Sequence, residues 1–126
     1  MDNQNDRREM DEYLILMRLD LLTKEAQPSP EQMQGFMEMY HNWVGDIAAR
    51  NRFVGGKGLS TEGKVLKPGG IVTDGPFVEI KESLAGFIMV KAESLEDATA
   101  MAAACPILYG EGNSVEVRMI SSVHEK

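Results

Sequence analysis

The chain has 126 residues and a mass of 14.0 kDa, enough for one domain with a core of modest size. Hydrophobic residues make up 43% and charged residues 26%, a mixture that excludes collagen, coiled coil and bulk disorder. A net charge of -7 repels nucleic-acid backbones and anionic membrane surfaces, so neither is expected as a partner.

A single cysteine, Cys105, offers no internal disulfide, which fits a reducing cytoplasm. Residues 1–12 are almost wholly polar and lack the apolar centre of a signal peptide. They read as a flexible tail ahead of one domain spanning 13–121. No run of about 18 apolar residues occurs, so no membrane-spanning helix is expected.

Tyr13-Leu14-Ile15-Leu16-Met17-Arg18 is short for a helix and apolar enough for a buried strand. After the loop through Gln27-Pro28, the helix signal is unusually complete. Ser29 reads as the N-cap, Pro30 takes the first helical position, and Gln32 follows three residues after Ser29. Met33, Phe36, Met37, Tyr40, Val44 and Ile47 recur at three- and four-residue spacing, predicting a helix that ends near Asn51. Phe53 to Leu59 reads as a strand broken by glycines.

Lys64-Val65-Leu66 and Ile71-Val72-Thr73 flank Lys67-Pro68-Gly69-Gly70, the composition of a hairpin turn. Ala85 to Lys91 is the clearest strand. Ser94, with Asp97 three residues on, caps a second helix that ends at Cys105-Pro106. A final strand runs from Ser114 to Ile120.

This order predicts an α+β fold: a ferredoxin-like antiparallel sheet with both helices on one face. The strands carry a second message. In the first, Tyr13, Ile15 and Met17 point one way and Leu14 and Leu16 the other; later, Ala85, Phe87 and Met89 oppose Gly86, Ile88 and Val90. A sheet wetted on one face alternates apolar with polar, and these strands do not. Burying a Leu or Phe side chain is worth roughly 1.5–3 kcal/mol, so something must cover the second face. A homodimer is the expectation, and a tail or loop folded over the face is the alternative.

Asp74-Gly75-Pro76-Phe77 has two readings. All four are turn-forming or strand-ending types, so the segment describes a structural corner. The same corner would also present the Asp74 carboxylate to a cleft, as a base or an acceptor. Arg118 and Glu116 share the strand face opposite Val115, Val117 and Met119. Arg118 there either holds a carboxylate or phosphate inside a dimer cleft or pairs with Glu116 or Asp74. Arg18 poses the same choice.

His41, beside the Phe36–Tyr40–Val44 stripe, is either a general base or packing. Two distant histidines and one cysteine give no metal-ligand spacing, so no metal is expected. Gly55-Gly56-Lys57-Gly58 follows a helix and enters a strand, whereas phosphate loops lead into a helix. Cys105 and the methionines read as core filling.

The segment from Val72 to Glu82, Val-Thr-Asp-Gly-Pro-Phe-Val-Glu-Ile-Lys-Glu, resembles the signature of the YCII-related proteins of the DGPF type. Gly86-Phe87-Ile88-Met89-Val90, Cys105-Pro106 and Ser114-Val115-Glu116-Val117-Arg118 fit the same family, and the likeness runs from Tyr13 to Ile120. The resemblance implies a ferredoxin-like subunit whose sheet pairs with a second one in a dimeric α/β barrel. Some members resemble small enzymes with a cleft at the sheet; others occur with sigma factors of the extracytoplasmic-function type. In the wider group a His near the start of the first helix pairs with an Asp. Here Ser29 to Gln34 contains no His, so that pair does not carry over.

Two functions follow as expectations. The first is a small-molecule site between sheet and helices, working without a bound cofactor and possible as an enzyme. Asp74 and Arg118 would be its polar anchors, with Arg18 in support, Phe77 and Tyr40 its apolar walls, and Asp74 or His41 its catalytic candidates. The second is a non-enzymatic regulatory module that turns an acidic helix face toward a protein partner.

Overall fold

The computed structural model describes residues 10–21, 23, 27–74 and 83–121, with only the backbone described for 71–74. In chain order, the elements are β1 (Asp11–Arg18), α1 (Pro30–Ala49), β2 (Phe53–Gly58), β3 (Lys64–Lys67), β4 (Gly70–Asp74), β5 (Leu84–Ala92), α2 (Leu95–Ala103) and β6 (Ser114–Met119). A single 3-10 turn, Pro106–Tyr109, joins α2 to β6. The main sheet runs β2-β5-β1-β6 and every neighbouring pair is antiparallel. With two helical crossovers, that order is the ferredoxin-like arrangement, here with the β3–β4 hairpin inserted between β2 and β5. The fold is α+β, as its element order predicts.

Local chemistry accounts for the boundaries. Ser29 Oγ accepts from the Gln32 N–H and the Gln32 side chain accepts from the Ser29 N–H, so the capping box is closed in both directions. α1 stops two residues short of Asn51, which takes the left-handed conformation at φ 61° that Asn tolerates better than most residues. Gly69 and Gly70, at φ 102° and 134°, turn the chain between β3 and β4 as their composition predicts.

One face of the sheet carries the core. Tyr13, Ile15 and Met17 of β1 and Ile88, Val90 and Ala92 of β5 are buried there against Trp43 and Ile47 of α1. Ala98, Met101 and Ala102 of α2 complete the core on that same face. Trp43 is the residue that the apolar stripe of α1 lacked. Its Nε1–H donates to the Met101 carbonyl at 2.9 Å, tying the two helices together inside the core. Burial along α1 rises toward its C-terminal half: Met33 is exposed, Phe36 and Tyr40 are half-buried, and Trp43 and Ile47 are buried. The N-terminal half of the helix is therefore not packed down on the sheet.

The corner between β5 and α2 is held by charge. Asp97 Oδ2 accepts from the Glu93 N–H at 3.0 Å and from Arg52 Nη1 at 2.8 Å, while the Asp97 N–H donates to Ser94 Oγ. The backbone hydrogen bond and the guanidinium hold the Asp97 carboxyl below its ordinary value of 3.8. A depressed carboxyl stabilises the fold above its unfolded-state value, and that contribution is lost as pH falls through the folded one. Asp97→Ala is expected to cost about 1 kcal/mol at pH 7, because the pair is partly solvated. Urea titrations should show the gap to the parent protein shrinking below pH ~4. A gap that is constant from pH 7 to pH 3 would contradict this account.

Candidate functional site

The register of the sheet creates a hole in the core. Residues paired across antiparallel strands share a face, so every second row of partners is a row of side chains on the helix side. One row reads Tyr13, Val90, Phe53 and the next Ile15, Ile88, Gly56. The third reads Met17, Gly86, Gly58, so two facing strands contribute no side chain there. Above it lies the loosely packed half of α1, whose Met33, Phe36 and Tyr40 share one helix face. The result is a cavity of about 360 Å³ with Met17, Gly58 and Gly86 in its lining, Met33, Phe36 and Tyr40 on the helix side, and Leu19 and Ile107 also bordering it.

The two glycines are not equivalent. A Cβ on Gly86 would lie 2.8 Å from the Lys57 carbonyl oxygen, a backbone clash that only movement of β2 could relieve. A Cβ on Gly58 would meet nothing closer than the Ala85 carbonyl at 4.0 Å. Gly86 is required by the close approach of the strands, and Gly58 leaves space that the cavity uses.

The lining is almost wholly apolar. Lys57 borders it through its backbone, since its side chain shares the far face of the sheet with Phe87, and Tyr40 supplies a phenol. Burial pushes the Tyr40 hydroxyl above its ordinary value, so at neutral pH it is a donor and not a base. Tyr40 is fixed between the Phe36 and Trp43 rings, at centroid distances of 6.1 and 5.7 Å. Cys105 is buried and its thiol is likewise raised, the opposite of an activated nucleophile. A second groove of about 600 Å³ adjoins the cavity, shares Leu19, Leu21, Met33, Phe36 and Ile107 with it, and is bordered by Asp20 and Glu111.

Arg118 stands elsewhere. It pairs with Leu14, and Glu116 with Leu16, which places both on the sheet face away from the helices. Arg18 Nη2 reaches Glu116 Oε1 at 3.0 Å, and Arg118 Nη1 lies 3.4 Å from Glu116 Oε2. The Arg18 hydrogen bond, then Arg118, holds the Glu116 carboxyl below the usual range. Around this trio the face is apolar, with Leu14, Leu16, Phe87 and Met89 half-buried. Tyr40 and Arg118 thus belong to opposite faces of the sheet, and the structure does not bring them together.

His41 is exposed, packs edge-on to Tyr40 at 6.2 Å and does not line the cavity. Asp74 ends β4 with its backbone opposite Lys64. Its side chain, with Gly75, Pro76 and Phe77, lies outside the described residues. No group of three or more His, Cys, Asp or Glu able to hold a metal occurs among the described residues. No described helix is long and apolar enough to cross a membrane.

Gly58 and Gly86 were not singled out by the sequence as site residues. The signal was the glycine pair two apart in β2, but its meaning depends on a facing glycine almost thirty residues later. No curated protein matches the chain. The model of the YCII-related domain matches residues 17–122, a span from the end of β1 through β6 that includes the glycine row beneath the cavity. The chain belongs to the YCII-related domain family.

Proposed function

We propose that the cavity beneath α1 binds a small, predominantly apolar molecule, and that the protein works as a homodimer joined through the open face of its sheet. The observation that carries the first part is the cavity itself. Its volume of about 360 Å³ lies within the range of small-molecule sites, and its apolar lining has few polar groups to orient a ligand. The described lining supplies binding surface and a phenol donor, with no activated nucleophile, so binding is the function these residues support best.

Gly58→Leu tests this directly, because a side chain there has room to enter the cavity. Titration with a neutral aromatic probe, 2-naphthylmethanol, is expected to show binding to the parent protein. The variant should bind about tenfold more weakly or not at all, with an unchanged melting temperature. Equal affinity in both proteins, or no binding to either, would remove the reading.

The second part rests on the open face. Leu14, Leu16, Phe87 and Met89 form an apolar patch on the side that neither helix covers. Beside it, Glu116 stands between two arginines, and Arg118 keeps 69% of its side chain exposed. A patch that carries both signs is self-complementary under two-fold symmetry, so a second copy suits it. Sedimentation at micromolar concentration should give a mass twice 14.0 kDa.

A further inference from the structure

We infer that the ligand of the cavity is a neutral molecule whose apolar body carries one hydrogen-bond acceptor of the carbonyl type, held by the Tyr40 hydroxyl. The inference rests on the binding reading above and names the class of molecule. Three observations carry it.

The first is charge. The described lining offers no ionised side chain, because Lys57 turns to the far face in register with Phe87 and Leu16. An acid or an amine would give up its hydration there with nothing of opposite sign to meet it. That loss far exceeds the loss for a neutral polar group. The ligand is therefore neutral.

The second is a donor without a partner. Among the lining side chains Tyr40 alone can donate, and the methionine sulfurs are only weak acceptors. Tyr40 makes ring contacts with Phe36, His41 and Trp43, and its hydroxyl makes no hydrogen bond with the described residues. Nor is that oxygen sealed in the core. Among the described residues, Ser83 Oγ is the one sealed side-chain polar atom that lacks a partner. Backbone groups along the floor are already committed: the Ala85 carbonyl accepts from the Leu59 N–H at 2.8 Å. A carbonyl uses the phenol fully, whereas an alcohol that accepted from it would keep its own O–H unpaired.

The third is placement. Burial is the main cause that raises the Tyr40 hydroxyl, and the nearby Cys105 is the next. Cys105 caps the 3-10 turn whose Ile107 borders the cavity, so the hydroxyl lies on the inner side of α1. There it stays protonated at neutral pH, as a donor must.

The experiment uses three probes that share a naphthalene ring and a planar three-atom substituent: 2-acetylnaphthalene, 2-isopropenylnaphthalene and 2-naphthoate. Each is titrated at pH 7.5 into the parent protein, Tyr40→Phe and Gly58→Leu. Tyr40→Phe keeps the ring between Phe36 and Trp43, so the melting temperature should not change. This variant is expected to bind the ketone about fivefold more weakly, the size of a neutral hydrogen bond, and the hydrocarbon equally well. The parent should bind naphthoate about tenfold more weakly than the ketone, or not at all. Gly58→Leu should weaken both neutral probes. If Tyr40→Phe weakens ketone and hydrocarbon alike, or neither, Tyr40 is not the donor and the cavity reading survives. If naphthoate binds as tightly as the ketone, the neutral class is wrong. If none of the three binds the parent protein, both readings fall together.

Discussion

Trp43→Ala is expected to lower the unfolding free energy by about 3–5 kcal/mol, a large share of the 5–15 kcal/mol typical of a domain. Trp43 is 6% exposed and stands where α1, α2 and the sheet meet, so its removal opens a void that backbone elements on three sides would have to close. The indole also serves as a polar tie. Met101 lies in the last turn of α2, and its carbonyl otherwise receives only a 3.3 Å bond from the Ala104 N–H. Trp43→Phe separates the two contributions, since it keeps most of the apolar area and loses the donor. Its expected cost is about 1 kcal/mol. Equilibrium urea unfolding reads both values. A loss below ~1 kcal/mol for Trp43→Ala would mean that the helices are held elsewhere.

The second large effect concerns assembly. Met89→Glu places a carboxylate on the open sheet face, between Leu14 and Gly55 in the register. Under two-fold symmetry each interface would then hold two unpaired charges cut off from water, a penalty of several kcal/mol. Sedimentation should move from twice 14.0 kDa to 14.0 kDa at micromolar concentration, with the helix content retained. Arg118→Ala is the contrasting case. Its loose contact with Glu116 at the rim is the kind of exposed pair worth less than ~1 kcal/mol, so the dimer should persist. A parent protein that sediments at 14.0 kDa would end the dimer proposal outright.

What the sequence revealed divides by the range of the interactions involved. The start of α1 was legible because Ser29, Pro30 and Gln32 complete their capping contacts within four residues. The strands were legible because alternation reports burial locally, and their order gave the sheet topology. The family likeness drew on the same strands and was met by the match over residues 17–122. The site was much less legible. Arg118 was placed with Tyr40 in one cleft because alternation along β6 fixes two faces without saying which one meets the helices. The pairing of Val117 with Ile15 decides that, and it links residues about a hundred positions apart. Trp43 escaped the helical stripe although it is three residues from Tyr40 and four from Ile47. The cavity escaped as well, because a missing side chain becomes a hole only when its cross-strand partner is also glycine.

That pair of glycines has a consequence for how the protein can change. At Gly86 the sequence is locked by backbone contact, so drift there threatens the fold. At Gly58, directly opposite, an added Cβ meets nothing closer than 4.0 Å, so a side chain can start there and reduce the depth of the chamber beneath α1. Under the proposed binding function, ligand size would therefore be retuned at one position without retesting the architecture. Relatives with the same strands and different residues at this point would be expected to accept molecules of different length.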